Sequence, residues 1–216
     1  MPNWPYPSIE ELQATAETFG AMQRPDRSLA AFRQRVGDSV DPLEPNHAQA
    51  LLDWLNAWGC RMDSSDSGCR IFAESLATWW IGNEPHLPDS QLRLVDCTGD
   101  TIERAAIAFE ALSASRASER RTVASTAAAK TLHALRPLNL IAWDRAIALC
   151  MHNSRGREAY AEHLRWGQTA ASRLIEEAKE RGWSGEVELV ANLGRTGFTL
   201  AKVLDEHLYV TISRAA

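Results

Sequence analysis

The chain has 216 residues, 45% of them hydrophobic, with a formal net charge of -5. That content excludes extended disorder and is enough to bury a substantial core, as one domain or as two packed lobes at about 1–98 and 99–216. The acidic balance excludes a protein that coats nucleic acid through bulk charge, so any such contact must come from a local patch.

The opening M-P-N-W-P-Y-P has neither the basic patch nor the apolar run of a secretory leader. No apolar run approaches the roughly 20 residues of a membrane-spanning helix, so the expectation is a cytoplasmic protein without a membrane partner. Cys60, Cys69, Cys97 and Cys150 are widely spaced and form no C-x-x-C pair. They read as buried reduced thiols rather than a disulfide frame or a zinc site.

Taken in order, Ser8 and Glu11 have the spacing of a capping box and open a helix that runs to about Phe19, with Gly20 following. A short helix over Asp26–Val36 comes next, then a break at Asp41–Pro45. Asn46 caps a helix whose face is Ala48, Leu51, Leu52, Leu55 and Trp58, ended by Gly59. After a polar turn, Cys69–Trp80 carries Ile71, Phe72, Leu76 and Trp79 at helical spacing. Gln91–Cys97 alternates enough for a short extended piece. Asp100 caps a periodic helix with Ile102, Ala105, Ala106, Phe109 and Leu112 inside, and Ser113–Ser118 reads as a loop.

A helix over Thr122–Leu135 places Ala124, Ala128, Leu132 and Leu135 on its inner stripe, which leaves Lys130 on the far side and sets Lys130 and His133 on one face. Pro137 ends it, Leu138–Trp143 is a short apolar crossing, and Asp144 opens the next helix. Beyond a turn at Asn153–Gly156, Arg157–Arg181 is the longest helix, with Leu164, Ala171, Leu174, Ile175 and Ala178 on its apolar side. Gly182 ends it. Gly185–Leu193 and a last helix through Ala201, Leu204, Leu208 and Ile212 complete an all-α fold of eight to ten helices, without internal repeats.

Chemistry is expected around Lys130 and Asp144. Asp144 suits a helix start, where a short carboxylate accepts from free N–H groups, and the same placing beside Trp143 lets it stabilise positive charge or orient a water. Lys130 reads as a solvated lysine or, in a pocket, as an amine for phosphate or an electrophilic sugar carbon, with His133 beside it. Arg116, Arg120, Arg121 and Arg136, with Lys130, stand against Glu119 alone, which makes a basic segment suited to phosphates. The Trp54/Trp58 and Trp79-Trp80 pairs read as core packing, and Asp205-Glu206 as a solvated face. No phosphate loop, nucleophile elbow or dinucleotide fingerprint is present, and the six histidines lack metal-ligand spacing, so no cofactor or metal is expected.

A helix bearing Lys130, an apolar crossing and then Asp144 at the head of the next helix resembles the core of the helix-hairpin-helix DNA glycosylase superfamily. Ala129–Ile147 and Leu200–Ser213 are similar to a divergent bacterial branch near it. The resemblance implies a multi-helix glycosylase fold, a catalytic aspartate at Asp144 and a lysine nucleophile at Lys130. Where that family has hairpin glycines, this chain reads Ala124-Ser125-Thr126-Ala127-Ala128-Ala129. Two functions follow as expectations. One is a glycosylase-like protein that binds DNA or a nucleoside and hydrolyses an N-glycosidic bond. The other is a non-enzymatic helical scaffold for a protein or nucleic-acid partner.

Overall fold

A computed structural model describes residues 4–22, 24–37 and 39–214, so that residues 1–3, the first of the segment read for a leader, lie outside it. Ten α-helices and no strands are present among the described residues: α1 (Ile9–Gly20), α2 (Arg24–Val36), α3 (Pro45–Ala57), α4 (Asp66–Asn83), α5 (Gly99–Ala114), α6 (Ala124–Leu135), α7 (Arg145–His152), α8 (Arg157–Glu180), α9 (Glu186–Asn192) and α10 (Leu200–Leu208). A π-helical turn, Tyr209–Ser213, continues α10. The protein is all-α. None of its helices is long and apolar enough to cross a membrane, among the described residues.

The local signals explain most helix ends. Ser8 and Glu11 close the capping box at α1, and Gly59, at φ +75°, ends the α3 segment in the left-handed conformation that costs glycine least. Several helix starts and one connecting segment differ from the sequence reading. The cap of α3 is not Asn46: Pro45 takes the first helical position, where its missing N–H is no loss. Thr98, rather than Asp100, caps α5 by accepting from the Thr101 N–H. α4 starts at Asp66 under a Ser65 cap, ahead of Cys69. Gln91–Cys97 is not extended, because Leu94–Asp96 forms a single 3-10 turn whose Leu94 N–H donates to the Leu138 carbonyl.

α5 packs against both α6 and α8, beside the crossing at 138–143. This stretch is non-helical yet buried from Asn139 to Trp143, so its carbonyls need partners that a helix would have supplied. They find them one by one. Leu138 accepts from the Leu94 N–H, Leu140 from His133 Nδ1 at 2.7 Å, Ile141 from the Tyr160 hydroxyl and Ala142 from His163 Nε2, both at 3.3 Å. Gly167 on α8 lets the chain come this close: a Cβ there would collide with Ile141 Cδ1. Trp143 ends the crossing, fully buried among Phe109, Tyr160, His152 and His163, with its indole N–H donating to the Ser125 carbonyl at 3.3 Å. The crossing thereby delivers Asp144 to a defined place at the head of α7.

Candidate functional site

A cavity of about 200 Å³ lies between the start of α2, the end of α3, the middle of α6 and the head of α7. Pro25 and Ser28 form one side, Ala57 and Trp58 another, and Lys130, Asp144 and Tyr209 complete it. The π-helical turn brings Tyr209 here, edge-on to both Phe19 and Trp58 at 5.8 Å between ring centroids. Extra-residue turns of this kind recur at functional sites because they re-aim one side chain without breaking the helix.

Lys130 is 5% exposed, which corrects the expectation of a lysine on the outer side of its helix. Ala127 through His133 are all buried, so α6 has no solvated face along this stretch. The Lys130 ammonium sits 4.2 Å from the centroid of the Trp58 indole and has no hydrogen bond or ion pair among the described residues. A cation over an indole gains roughly 1–2 kcal/mol when desolvated, well short of the several kcal/mol that burying an ammonium costs. Its burial is therefore a net expense to the fold.

Asp144 is half-buried and caps α7, its Oδ1 accepting from the Ile147 N–H at 3.0 Å. It lines the cavity that Lys130 lines but does not pair with it. Both charges reach Cys60, whose thiol is held above its ordinary value chiefly by burial, with Lys130 opposing and Asp144 reinforcing the effect.

Behind the cavity stands a buried ion network. Lys202 Nζ donates to Asp205 at 2.9 Å and lies 3.3 Å from Glu206, while Arg195 holds Glu206 at 2.6 Å and forks onto both oxygens of Asp26 at 2.8 Å. Asp205 and Glu206 are thus buried, and not on a solvated face: α10 passes through the interior, against α1 and α8. Burial opposes the charge on Lys202, but the Asp205 and Glu206 carboxylates outweigh it and hold the lysine above its ordinary value. Burial likewise disfavours the Asp205 carboxylate, and Lys202, Lys130 and His133 together bring it below the usual range. Lys202 also approaches Trp58, at 5.6 Å from the ring centroid, so the indole has an ammonium from α6 and another from α10 beside it.

Two residues expected in this pocket lie elsewhere. Trp143 packs in the core and acts on Asp144 only through the backbone. His133 shares Lys130's helix but lines a neighbouring cavity, its Nδ1 bonded to the Leu140 carbonyl. Burial pulls its pKa down to about 4, with Lys202 and Lys130 adding to the effect and Asp205 and Leu140 opposing it. Trp54 is core, as expected, whereas Trp58 faces the cavity.

The basic segment divides. Arg116 pairs with Glu119, and Arg136 is held by the Pro88 and Leu135 carbonyls over the Trp80 ring. Arg120 and Arg121 stay exposed on a tight turn closed by bonds from Ala117 and Ser118 to the Arg121 carbonyl. Arg121 also donates to the carbonyl of Arg61, next to Cys60, which places this turn beside the wall that Lys130 and Asp144 influence. Ala124, at the entry to α6, has φ +62°. The backbone here has a conformation that glycine favours, but with a Cβ present.

Trp58, Tyr209 and Lys202 escaped the sequence reading. Trp58 directly precedes the helix-ending Gly59, a local hint that its ring hangs past the last turn; nothing local marks Tyr209. The four thiols are free, with Cys97 buried, Cys60 and Cys69 half-buried and Cys150 exposed. No group of three or more His, Cys, Asp or Glu side chains is placed to hold a metal ion among the described residues. No family model, curated protein or solved structure matches the chain.

Proposed function

We propose that this chain is a cytoplasmic, divergent glycosylase-like protein that takes a single nucleotide of DNA, or a nucleoside, into the Lys130–Asp144 cavity and cleaves its N-glycosidic bond. The observation that carries the reading is the unpaired, buried ammonium of Lys130 opening on the same space as the Asp144 carboxylate. A fold for which burying this charge is a net cost retains it at a site shaped for a small polar molecule. A space of about 200 Å³ admits one sugar or one base ring and no duplex, so a DNA substrate has to present an extruded nucleotide. Arg120 and Arg121 are suited to the flanking phosphates.

In the chemical step the bond from C1′ to the base nitrogen breaks, and the base departs with the electron pair and takes up a proton. Asp144 stabilises the positive charge that develops on the sugar. The Lys130 amine, in its free-base form, or a water adds to C1′. Attack by the amine, with loss of a proton that the departing base takes up, and opening of the sugar ring give a Schiff base; attack by water, with the same proton transfer, leaves a hydroxyl on C1′.

The test is incubation with oligonucleotides that each carry one modified base or an abasic site, in the presence of borohydride. A covalent protein–DNA adduct lost in Lys130→Met supports amine attack. Base release without an adduct, lost in Asp144→Asn, supports water attack. Absence of both across the set, and of base release from free nucleosides, refutes the catalytic reading.

The capping bond of Asp144 favours a second reading, a non-enzymatic helical scaffold that binds a protein or nucleic-acid partner. In that case Asp144→Ala lowers stability alone, and no assay of base release depends on it.

A further inference from the structure

A second cavity, of about 320 Å³, lies one turn along the same groove. Ser28 of the first cavity is followed by Leu29 of the second on α2, Trp58 is four residues from Trp54 on α3, and Lys130 is three from His133 on α6. Leu29, Phe32, Val36, Val40, Trp54 and Pro137 make its walls apolar, with the Phe32 and Trp54 rings stacked at 5.3 Å. Its size is at the lower end of the roughly 300–1,000 Å³ of small-molecule pockets.

Of the polar side chains that line it, Arg33 and Ser39 are exposed and His133 is buried. His133 is 5% exposed, and because a carbonyl only accepts, its Nδ1 must be the donor in the 2.7 Å bond to Leu140. The proton is thereby fixed on Nδ1, and Nε2 is left as a lone-pair acceptor. Nε2 has no hydrogen-bond partner among the described residues and keeps a trace of exposure, and the ring lines this cavity. Burial holds the ring neutral. The Arg33 guanidinium, exposed at the edge of the cavity, donates one N–H to the Gly197 carbonyl at 3.4 Å and lies over the Phe198 ring, and it makes no bond to the buried nitrogen of His133.

We infer that this second cavity binds a neutral, flat heteroaromatic molecule of one or two rings that donates a ring N–H to His133 Nε2. A carboxylate or phosphate is disfavoured at this nitrogen, where an acceptor would face an acceptor. A purely apolar ring leaves the nitrogen unpaired and loses the bond's contribution. The site does not depend on chemistry at Lys130.

Indole and 1-methylindole, which differ by the donor, are the probes, with binding measured by calorimetry. Wild type should bind indole about tenfold more tightly than 1-methylindole, the worth of one buried hydrogen bond. His133→Asn keeps an amide group for Leu140 and places nothing where Nε2 was, so the preference should vanish while the protein still melts cooperatively. Independently of any variant, the Nε2 nitrogen resonance of His133 should shift with indole and stay with 1-methylindole. Lys130→Met should bind indole as wild type does. Equal affinity for the two probes, a preference that survives in His133→Asn, or occupation of the cavity by ordered water alone with no indole bound, would each overturn the inference.

Discussion

The Lys130 ammonium rests over the Trp58 indole, 4.2 Å from its centroid, and no carboxylate pairs with it among the described residues. On α10, beside the same ring, Lys202 is held by Asp205 and Glu206. The two lysines meet the same ring on unequal terms: one is neutralised locally and the other is left to the cavity.

Lys130→Met follows directly from that contrast. Removing an uncompensated buried charge while keeping a long apolar chain should leave stability unchanged or raise it by about 1–3 kcal/mol. Urea unfolding of wild type and variant measures this. A loss of more than about 1 kcal/mol would mean that the cation–π contact holds the fold, and the expense argued for the lysine would not exist.

At Asp144 the two roles separate by substitution. Asp144→Asn keeps an oxygen for the Ile147 N–H and should change stability by a few tenths of a kcal/mol, whereas Asp144→Ala loses the cap and about 1 kcal/mol. Thermal melts of the pair, set beside base-release assays, assign the carboxylate. Activity lost in the asparagine variant at unchanged stability is the signature of chemistry.

Arg195→Met should be far more damaging than a surface arginine change. It leaves Glu206, fully buried, with Lys202 as its cation, and it releases α2 from the fork onto Asp26. Breaking such a partnership costs about 3–5 kcal/mol. Because α2 roofs both cavities, hydrogen exchange in α2 should rise with the loss of stability, and a variant with native exchange there would show that the fork does not anchor the helix.

Stability should fall as the pH drops below neutrality, and the sign follows from the buried imidazoles. Burial lowers His133 to about 4 and His163 to about 3, so between an unfolded value of 6.5 and those values the unfolded chain binds protons that the folded one refuses. Each contributes a slope of about 1.4 kcal/mol per pH unit, with stability complete above 6.5 and lost on the way down. Asp205, also lowered, acts only below its unfolded value of 3.8 and leaves the window from pH 6.5 to 5 to the histidines. His163→Gln, which keeps a donor for the Ala142 carbonyl, should flatten the slope in urea melts between pH 7.5 and 5 by one proton. An unchanged slope would mean that His163 takes up its proton in the folded state.

The local chemistry of the chain was enough to establish an all-α fold, the capping box at Ser8, the helix end at Gly59 and the cap at Asp144, because each depends on residues within a turn of one another. The spacing also brought out Lys130 and Asp144 as the pair to watch. It misplaced Lys130 because helical periodicity identifies the face that meets a first neighbour, whereas α6 is enclosed on its other sides as well. Asp205 and Glu206 were misread for the same reason: the cations that make their burial tolerable come from Lys202 nearby but also from Arg195, a partner supplied by packing. Tertiary structure alone decided that Trp58, Tyr209, Lys130 and Asp144 share a cavity and that His133 serves the next one. These groups come from four separate segments: the bonded crossing at 138–143 delivers Asp144, and the π-helical turn brings Tyr209 against Trp58.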